Sequence, residues 1–433
     1  MNEKRWLGFI LGLYVLFAFM YSVLMPPWEG PDEPAHYILA VNLARVGVFS
    51  SIKRNYEAGQ PQPYYRLASV PLKLLYLVNR EWVAVIQPER DFGNVRVAAP
   101  IFQWSDENYQ FLPGIYLLRW LNILIGVWAL GLNYAAMRRF TGRGWVSLSA
   151  LALAALTPQF LHTTSSVAND TLGILAGAFL FWLMSRMASQ PVSPVELGGS
   201  AVLALLLPYT TKLTVLPVGI VVIVAMIVHI REHWPESWRK LAIGGLAVGG
   251  SALLLSLVLF PQMGELFLRQ IGWRAFTIYE DSLTLEYLSE MVTQVVWSYW
   301  GLVGWLAVGL PGWVMGLLSG LGIVGVGAGV IRRRGKEEQG NGGVGRMWIV
   351  WLAGGVTAVA VLKNGLNTVN TQGRFLFPAI GALALLMVSG WERLLPARFR
   401  PYLLPAVMVL MIGVNLILWF GGIIPVYYQP FLD

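Results

Sequence analysis

The first long apolar stretch of the chain, WLGFILGLYVLFAFMYSVLM, occupies residues 6–25 and contains no charged residue. About 20 such residues are needed to cross the hydrocarbon core of a membrane as a helix. Lys4 and Arg5 precede the stretch, and PPWEGPDEPAH (residues 26–36) follows it, where a cleaved signal peptide would have small residues. We therefore interpret residues 6–25 as a retained membrane span whose N-terminal end faces the cytoplasm.

The composition of the 433-residue chain is that of a membrane protein. Hydrophobic residues make up 56% of it and charged residues 12%, whereas soluble proteins have about 25% charged residues. Further apolar runs reach bilayer length, and basic residues cluster in short segments between them, as in cytoplasmic loops. Hydropathy and charge predict an all-α polytopic transmembrane helix bundle of about 11 spans, with its N-terminus inside and its C-terminus outside.

Charge distribution and cysteine content exclude several kinds of site. The formal net charge of +8 is concentrated beside the spans, so we predict membrane lipid as a partner and no nucleic acid. The sequence has no cysteine, which excludes disulfides, thiolate nucleophiles and cysteine-based metal or redox sites.

We predict a single transmembrane domain over residues 1–433, with a long first extracytoplasmic segment at residues 26–111. One amphipathic surface helix is expected from Ala35, because Leu39, Leu43 and Val46 recur at helical spacing. A second is expected over residues 64–78, where Pro71 would kink it or delay its start.

Two other segments are predicted outside the membrane. Residues 261–310 form a second extracytoplasmic or interfacial segment rich in Trp and Tyr, and its later half, residues 295–310, is a candidate re-entrant or interfacial helix. Residues 332–346 contain Arg332-Arg333-Arg334 and many glycines, which indicates a flexible cytoplasmic loop.

Three ionisable residues directly after the first span are the first candidates for chemistry. Asp32 and His36 are four residues apart and Glu33 and His36 three apart, so on a helix all three could converge on one point. One member of a carboxylate pair at an apolar boundary can have a raised pKa and act as a general base. The alternative is that Asp32 simply caps the surface helix that Pro34 begins.

Polar residues at two other predicted outer positions are candidates for substrate binding. Gln62 and Tyr64 lie in the turn QPQPYY (residues 60–65), which indicates either an interfacial aromatic anchor or the wall of a sugar or lipid-headgroup site. Asn169 and Asp170 precede a predicted span, so they either cap it or supply a second carboxylate beside Asp32.

Lys212 and Arg374 are the cationic candidates, because each lies at the predicted outer end of a span. Both could merely extend toward the membrane interface. However, Gln372 and Arg374 belong to TVNTQGRFLFP (residues 368–378), which has more polar groups than a turn requires. A guanidinium binds phosphate through two parallel hydrogen bonds, so Arg374 is our first candidate for a lipid phosphate and Lys212 our second.

A divalent cation is a further hypothesis. Oxygen and nitrogen ligands could come from the residues at the outer face, namely Asp32, Glu33, His36, His162 and Asp170. Because none of them has the spacing of a dedicated site, we assign no metal ligand.

Several motifs, in order over nearly the whole chain, resemble the DUF2142 family of bacterial membrane proteins. They are PDEPAH (residues 31–36), TPQF (157–160), SVAND (166–170), TKLT (211–214), WG and GW (300–305) and QGRFLFP (372–378). That family is similar to the GT-C glycosyltransferases, which have many spans and two surface helices in the first outer loop.

The resemblance implies a function and a location. It implies that Asp32 is the catalytic base and Glu33 its partner, and that the sugar donor is a polyprenyl-phosphate sugar. The acceptor, whether saccharide, lipid or protein, stays open. The protein would be a multi-pass protein of the bacterial cytoplasmic membrane with its active site on the extracytoplasmic face.

The expected reaction is a single displacement with inversion, because no second carboxylate is placed as a nucleophile. A transporter or flippase of a lipid-linked or small polar substrate is an alternative, although transporters usually place ionisable residues within broken spans. An oligosaccharide polymerase or ligase is another, and only the acceptor would distinguish it.

Overall fold

The computed structural model describes residues 2–48, 60–83, 112–259, 283–330, 347–368 and 371–428. The predicted cytoplasmic loop at 332–346 and parts of the two outer segments, including 84–111 and 261–282, lie outside these ranges. The helices in chain order are α1 Glu3–Leu24, α2 Glu33–Val46, α3 Pro63–Val78, α4 Leu112–Thr141, α5 Gly144–Ala155, α6 Pro158–Thr164, α7 Asp170–Ser189, α8 Pro194–Thr210, α9 Leu216–His233, α10 Trp238–Leu259, α11 Leu285–Trp300, α12 Gly312–Val330, α13 Met347–Gly365, α14 Ile380–Leu394, α15 Leu403–Leu418 and α16 Ile424–Tyr428.

The predicted all-α polytopic bundle is confirmed. In the described ranges, eight helices are long and apolar enough to cross a membrane, or nine if the bent pair α5 and α6, which meet at 65°, is one span. The short helix α8 and helix α10 correspond to the other two predicted spans. Pro158 begins α6, and proline at the first turn of a helix explains why the chain bends there.

The bundle core is built where small residues let helices approach closely. A methyl group on Gly177 of α7 would lie 2.2 Å from the carbonyl oxygen of Pro378, and one on Gly390 of α14 would meet the backbone of Gly325 on α12. Close backbone approach of this kind drives helix association in membranes. Pro378 and Arg374 belong to one 3₁₀ segment, Gly373–Ala379, which directly precedes α14. The contact between Gly177 and Pro378 therefore also helps to position Arg374.

The two predicted helices of the first outer segment are present as α2 and α3. They pack on each other and on α4 around a second apolar core that includes Trp28, Tyr37, Tyr64 and Leu118. Helix α3 begins at Pro63 and continues through Pro71, so that proline does not delay its start.

The predicted apolar face of α2 is correct only in part. Leu39 and Leu43 are buried, but Val46 is 75% exposed. Val46 is the last residue of α2 and lies outside the second apolar core, which includes Leu39 and Leu43.

The later half of the second outer segment is not one helix. Helix α11 ends at Trp300, and residues 302–309 form a two-stranded antiparallel hairpin, β1 Leu302–Val303 and β2 Val308–Gly309. Gly304 in its turn has φ +66°, a conformation that favours glycine. The re-entrant helix predicted over residues 295–310 is therefore wrong beyond Trp300.

Candidate active site

Asp32 precedes α2 in a backbone conformation that frees its carboxylate from the helix. It is the N-cap residue, with φ 61° and ψ 5°, and its side chain makes no capping hydrogen bond. A left-handed conformation is uncommon for a residue other than glycine and costs free energy. Asp32 therefore occupies the N-cap position, but its side chain does not cap α2. The carboxylate contacts Arg374 instead.

Arg374 lies on the 3₁₀ segment that precedes α14, 342 residues away in sequence. Its Nη2 donates a hydrogen bond of 3.0 Å to Asp32 Oδ2, and its Nη1 lies 3.7 Å from Asp170 Oδ2. The preceding Gly373 packs against the backbone of α11, where a methyl group would lie 2.2 Å from the nitrogen of Tyr299. Only glycine allows this approach, which fixes the chain immediately before the guanidinium.

Asp170 and Lys212 complete a row of alternating charges. Lys212 Nζ lies 2.7 Å from Asp170 Oδ2 and donates a hydrogen bond of 3.1 Å to Asn169 Oδ1. We call Asp32, Arg374, Asp170 and Lys212 the ionic cluster. Two carboxylates and two cations balance each other, so the cluster carries no formal net charge.

Asn169 and Phe375 surround the ionic cluster. Asn169 does not cap α7 with its side chain, and its Nδ2 is buried with no hydrogen-bond partner among the described residues. The ring of Phe375 lies 5.8 Å from Lys212 Nζ and 5.5 Å from the guanidinium carbon of Arg374. A ring face attracts cations, so Phe375 helps to hold both charges in place.

Asp32 is the most accessible acid of the ionic cluster. Its side chain is 32% exposed, whereas those of Asp170 and Arg374 are each 5% exposed. Burial alone would raise the pKa of Asp32, but the charge and hydrogen bond of Arg374 and the charge of Lys212 hold that pKa below its ordinary value. Asp32 is therefore ionised at neutral pH, and an incoming group can reach it.

His36 lies beside the ionic cluster but faces an aromatic partner. Its Nδ1 is 2.9 Å from the hydroxyl of Tyr65, and the two rings stack with centroids 5.7 Å apart. Burial lowers the pKa of His36 to about 4, against the opposing effect of Asp32. His36 is therefore neutral at pH 7 and can act as a hydrogen-bonding group, not as a fixed cation.

The three remaining candidates, Gln372, Tyr64 and Gln62, have different surroundings. Gln372, two residues before Arg374, has a buried Oε1 with no hydrogen-bond partner among the described residues. Tyr64 is buried and its hydroxyl accepts a hydrogen bond of 3.0 Å from Asn122 Nδ2, so it belongs to the core between α3 and α4. Gln62 precedes α3 in the turn that leads to it.

Glu33 does not converge with Asp32 and His36, contrary to the expectation from spacing. Its side chain is fully buried, and Arg119 donates hydrogen bonds of 2.8 and 2.6 Å to its two oxygens. The backbone N–H groups of Trp28 and Val167 donate to the same carboxylate at 3.0 and 2.9 Å. Because Glu33 is enclosed by these donors, its geometry is that of a structural anchor, and its catalytic role stays a prediction.

Arg119 was missed by the sequence-based prediction. It lies on α4 and also donates to the carbonyl oxygens of Ser22, Met25 and Pro26 at 2.7, 2.7 and 3.0 Å. The sequence offers one indication of its role, which is its position as a charged residue within an apolar span. Charged residues in spans usually pair with another buried group.

The divalent cation stays a hypothesis, and the described side chains add no support to it. In the described ranges, no group of three or more His, Asp or Glu residues is arranged to hold a metal. Glu33 is occupied by Arg119, and His36 faces Tyr65. We therefore derive no step through a metal.

Comparison with known proteins identifies the fold. No protein-family model matches the chain, and no curated protein matches it either. The apo crystal structure of ArnT from Cupriavidus metallidurans is similar with a TM-score of 0.53 and 15% identity, over 98% of this chain and 74% of ArnT.

Two other crystal structures are similar at lower TM-scores. ArnT from Cupriavidus metallidurans bound to undecaprenyl phosphate gives 0.49, at 14% identity over 98% of this chain and 74% of ArnT. The Archaeoglobus fulgidus oligosaccharyltransferase tethered with an acceptor peptide gives 0.45, at 13% identity over 96% of this chain and 55% of that one. The likeness to apo ArnT shows the polytopic fold; the resemblance to DUF2142 and to the GT-C glycosyltransferases stays a prediction.

Proposed function

We propose that this protein is a membrane glycosyltransferase that moves a sugar from a polyprenyl-phosphate donor to an acceptor hydroxyl. The observation that carries this proposal is the 3.0 Å contact between Asp32 and Arg374. A partly exposed carboxylate and a buried guanidinium, with Lys212 in the same ionic cluster, are the proton acceptor and the phosphate ligands that such a transfer needs.

The reaction would proceed in one displacement. Asp32 accepts the proton of the acceptor hydroxyl, whose oxygen forms a bond to the anomeric carbon of the sugar. The bond from that carbon to the phosphate oxygen breaks, and its electron pair leaves on the polyprenyl phosphate. Arg374 and Lys212 stabilise the negative charge that develops there.

Inversion is the proposed stereochemical outcome, because the usual double displacement that gives retention needs a carboxylate nucleophile. Glu33 is enclosed by Arg119 and two backbone N–H groups. Asp170 is 5% exposed and held 2.7 Å from Lys212. Asp32 is the acid with access, and it is needed as the base.

Donor binding would also activate Asp32. With no donor, Arg374 stabilises the ionised carboxylate and so makes it a weak base. A phosphate that binds Arg374 supplies negative charge close to Asp32 and draws the guanidinium toward itself. Both effects raise the pKa of Asp32, so the base becomes stronger only when the donor is in place.

The donor class rests on chemistry and on the resemblance in sequence. An apolar bundle offers the lipid tail a membrane environment, and the two cations offer its phosphate a ligand pair. ArnT, whose apo structure shares the fold, has also been crystallised with undecaprenyl phosphate. Positive-inside counting would place the ionic cluster on the extracytoplasmic face of the bacterial inner membrane.

The test is a transfer assay with purified protein in lipid nanodiscs and a panel of polyprenyl-phosphate sugars. A mixture of acceptors is supplied and release of polyprenyl phosphate is followed, because that product is the same whichever acceptor takes the sugar. We expect release from one donor class by the wild-type protein and a loss of about 100-fold or more in Asp32→Asn.

Glu290→Gln is the matched control, since Glu290 is an exposed acid on α11. It should release polyprenyl phosphate at the wild-type rate. Full activity in Asp32→Asn would remove the catalytic-base role. In sealed proteoliposomes, movement of donor across the membrane without release of polyprenyl phosphate would replace the transferase by a flippase.

A further inference from the structure

A groove lies at the end of α7 that is opposite to the ionic cluster. Helix α7 begins at Asp170 and ends at Ser189, which is a length of about 30 Å, the thickness of a hydrocarbon core. Near its C-terminal end, α7 and α8 enclose a cavity of about 210 Å³. Its walls are formed mainly by Trp182, Leu183, Met187, Val192 and Leu203, and Arg186 and Glu196 also line it.

Two guanidinium groups lie against the ring of Trp182, which lines this groove; Arg186 lines the groove too, whereas Arg139 adjoins it through its contact with that ring. The guanidinium carbons of Arg139 and Arg186 are 5.4 and 5.5 Å from the centre of the Trp182 ring. Arg186 donates a hydrogen bond of 2.8 Å to Glu196. Arg139 Nη1 is buried, and within the described part of the chain no acceptor bonds to it.

Among the charges of the described residues, one cation of this pair has no matching acid. Glu196 balances Arg186, and the charge of Arg139 adds a second positive group beside it. A buried donor with no acceptor costs roughly 1–3 kcal/mol, so an anion that reaches Arg139 would remove that cost. The neighbouring apolar walls require the same ligand to carry hydrocarbon.

We propose that this groove binds an anionic phospholipid. The lipid phosphate lies against Arg139 and Arg186, and an acyl chain runs along Leu183 and Leu203. Basic pockets between membrane helices recognise anionic headgroups in this way. Positive-inside counting assigns this end of the bundle to the cytoplasmic leaflet. The site is therefore separate from the ionic cluster and does not depend on the proposed reaction.

Glycine positions in α8 supply a sharp test of the groove. Gly199 lines the cavity, and a methyl group added there meets nothing within 4 Å, so Gly199→Leu introduces its side chain at the groove with space for the first carbon. Gly198 is equally open but does not line the cavity. Gly198→Leu therefore has the same change in side chain and helix propensity while the groove stays empty.

The measurement is native mass spectrometry of the full chain with added phosphatidylglycerol or phosphatidylcholine. Both lipids carry a phosphate that could accept from Arg139, but phosphatidylcholine also carries a trimethylammonium cation, which the two guanidinium groups repel. We therefore expect the wild-type protein to retain phosphatidylglycerol about 10-fold better. Gly199→Leu and Arg139→Gln should lose that preference. Gly198→Leu should keep the preference for phosphatidylglycerol. Arg231→Gln should keep it too, because Arg231 is an exposed arginine in the last turn of α9.

Three results would overturn the proposal. They are equal retention of the two lipids by the wild-type protein, unchanged retention in both Gly199→Leu and Arg139→Gln, and displacement of phosphatidylglycerol by inorganic phosphate, which would indicate a free-anion site. If Gly199→Leu does not fold, Arg139→Gln and its control still decide the question.

Discussion

Asp32 and Glu33 are neighbours in sequence but have opposite environments. Asp32 is 32% exposed and contacts Arg374, whereas Glu33 is fully buried against Arg119. The left-handed backbone of Asp32 separates them, because it turns the two side chains in different directions. Two adjacent acids can therefore serve unlike purposes, one open to a ligand and one enclosed as an anchor.

The enclosed pair determines where the open acid lies. Arg119 joins the end of α1 to Glu33 through the carbonyl oxygens of Ser22, Met25 and Pro26. Glu33 in turn accepts the N–H of Val167, three residues before Asp170. The Arg119–Glu33 pair therefore connects the two chain segments that carry the acids of the ionic cluster.

Breaking the enclosed pair should have the largest effect. Arg119→Met leaves Glu33 as an uncompensated buried charge, so we expect a loss of about 3–5 kcal/mol in unfolding free energy. The double variant Arg119→Met with Glu33→Leu should recover part of that loss, because no charge stays buried. Detergent-induced unfolding followed by tryptophan fluorescence measures both.

The control for that prediction is the half-exposed pair of Arg138 and Glu3. Arg138→Met should cost less than about 1 kcal/mol, as exposed ion pairs do. Equal losses in the Arg119 and Arg138 variants would contradict the view that Glu33 is an anchor.

Asp32→Asn and Glu33→Gln should separate activity from stability. Asp32→Asn removes the base but keeps the size of a partly exposed side chain, so we expect about 10²–10⁴-fold lower transfer with less than about 1 kcal/mol of destabilisation. Glu33→Gln should do the reverse. The measurement is the transfer rate per folded molecule together with the unfolding midpoint; a similar loss of rate per folded molecule in both would give Glu33 a catalytic role.

Arg374→Gln should shift the pH profile as well as the rate. Arg374 lowers the pKa of Asp32, and a base works only above its pKa. Without the guanidinium that pKa rises, so the acid limb of kcat/KM should move to higher pH. The rate at the optimum should fall by about 10²–10³-fold through the lost phosphate ligand. An acid limb that stays in place would show that Asp32 is not the titrating group.

His36 should give the smallest effect, and only at acidic pH. Its pKa is about 4 in the folded chain against an ordinary 6.5, so the unfolded chain binds the proton more readily. Stability should therefore fall as the pH drops from 6.5 to about 4, by up to about 1.4 kcal/mol per pH unit. The slope of unfolding free energy against pH should be shallower in His36→Gln, and equal slopes would contradict this assignment.

The sequence predicted the residues of the ionic cluster better than the Arg119–Glu33 pair that positions them. Asp32, Asp170, Lys212 and Arg374 could be grouped because hydropathy and basic residues place all of them at one end of the spans. Arg119 could not be paired with Glu33 in the same way, because a contact over 86 residues depends on how α2 packs on α4. The hairpin after Trp300 was also hidden, since its short apolar strands are too brief to distinguish from a helix by periodicity.

The sequence alone predicted a bundle of apolar spans and the gathering of the acids and cations of the ionic cluster at one end of it. These follow from hydropathy and charge, which act on each segment separately. Only the tertiary structure decided which acid meets which cation. That choice depends on the left-handed backbone of Asp32 and on the close packing of Gly373 against α11, and the surrounding structure fixes both.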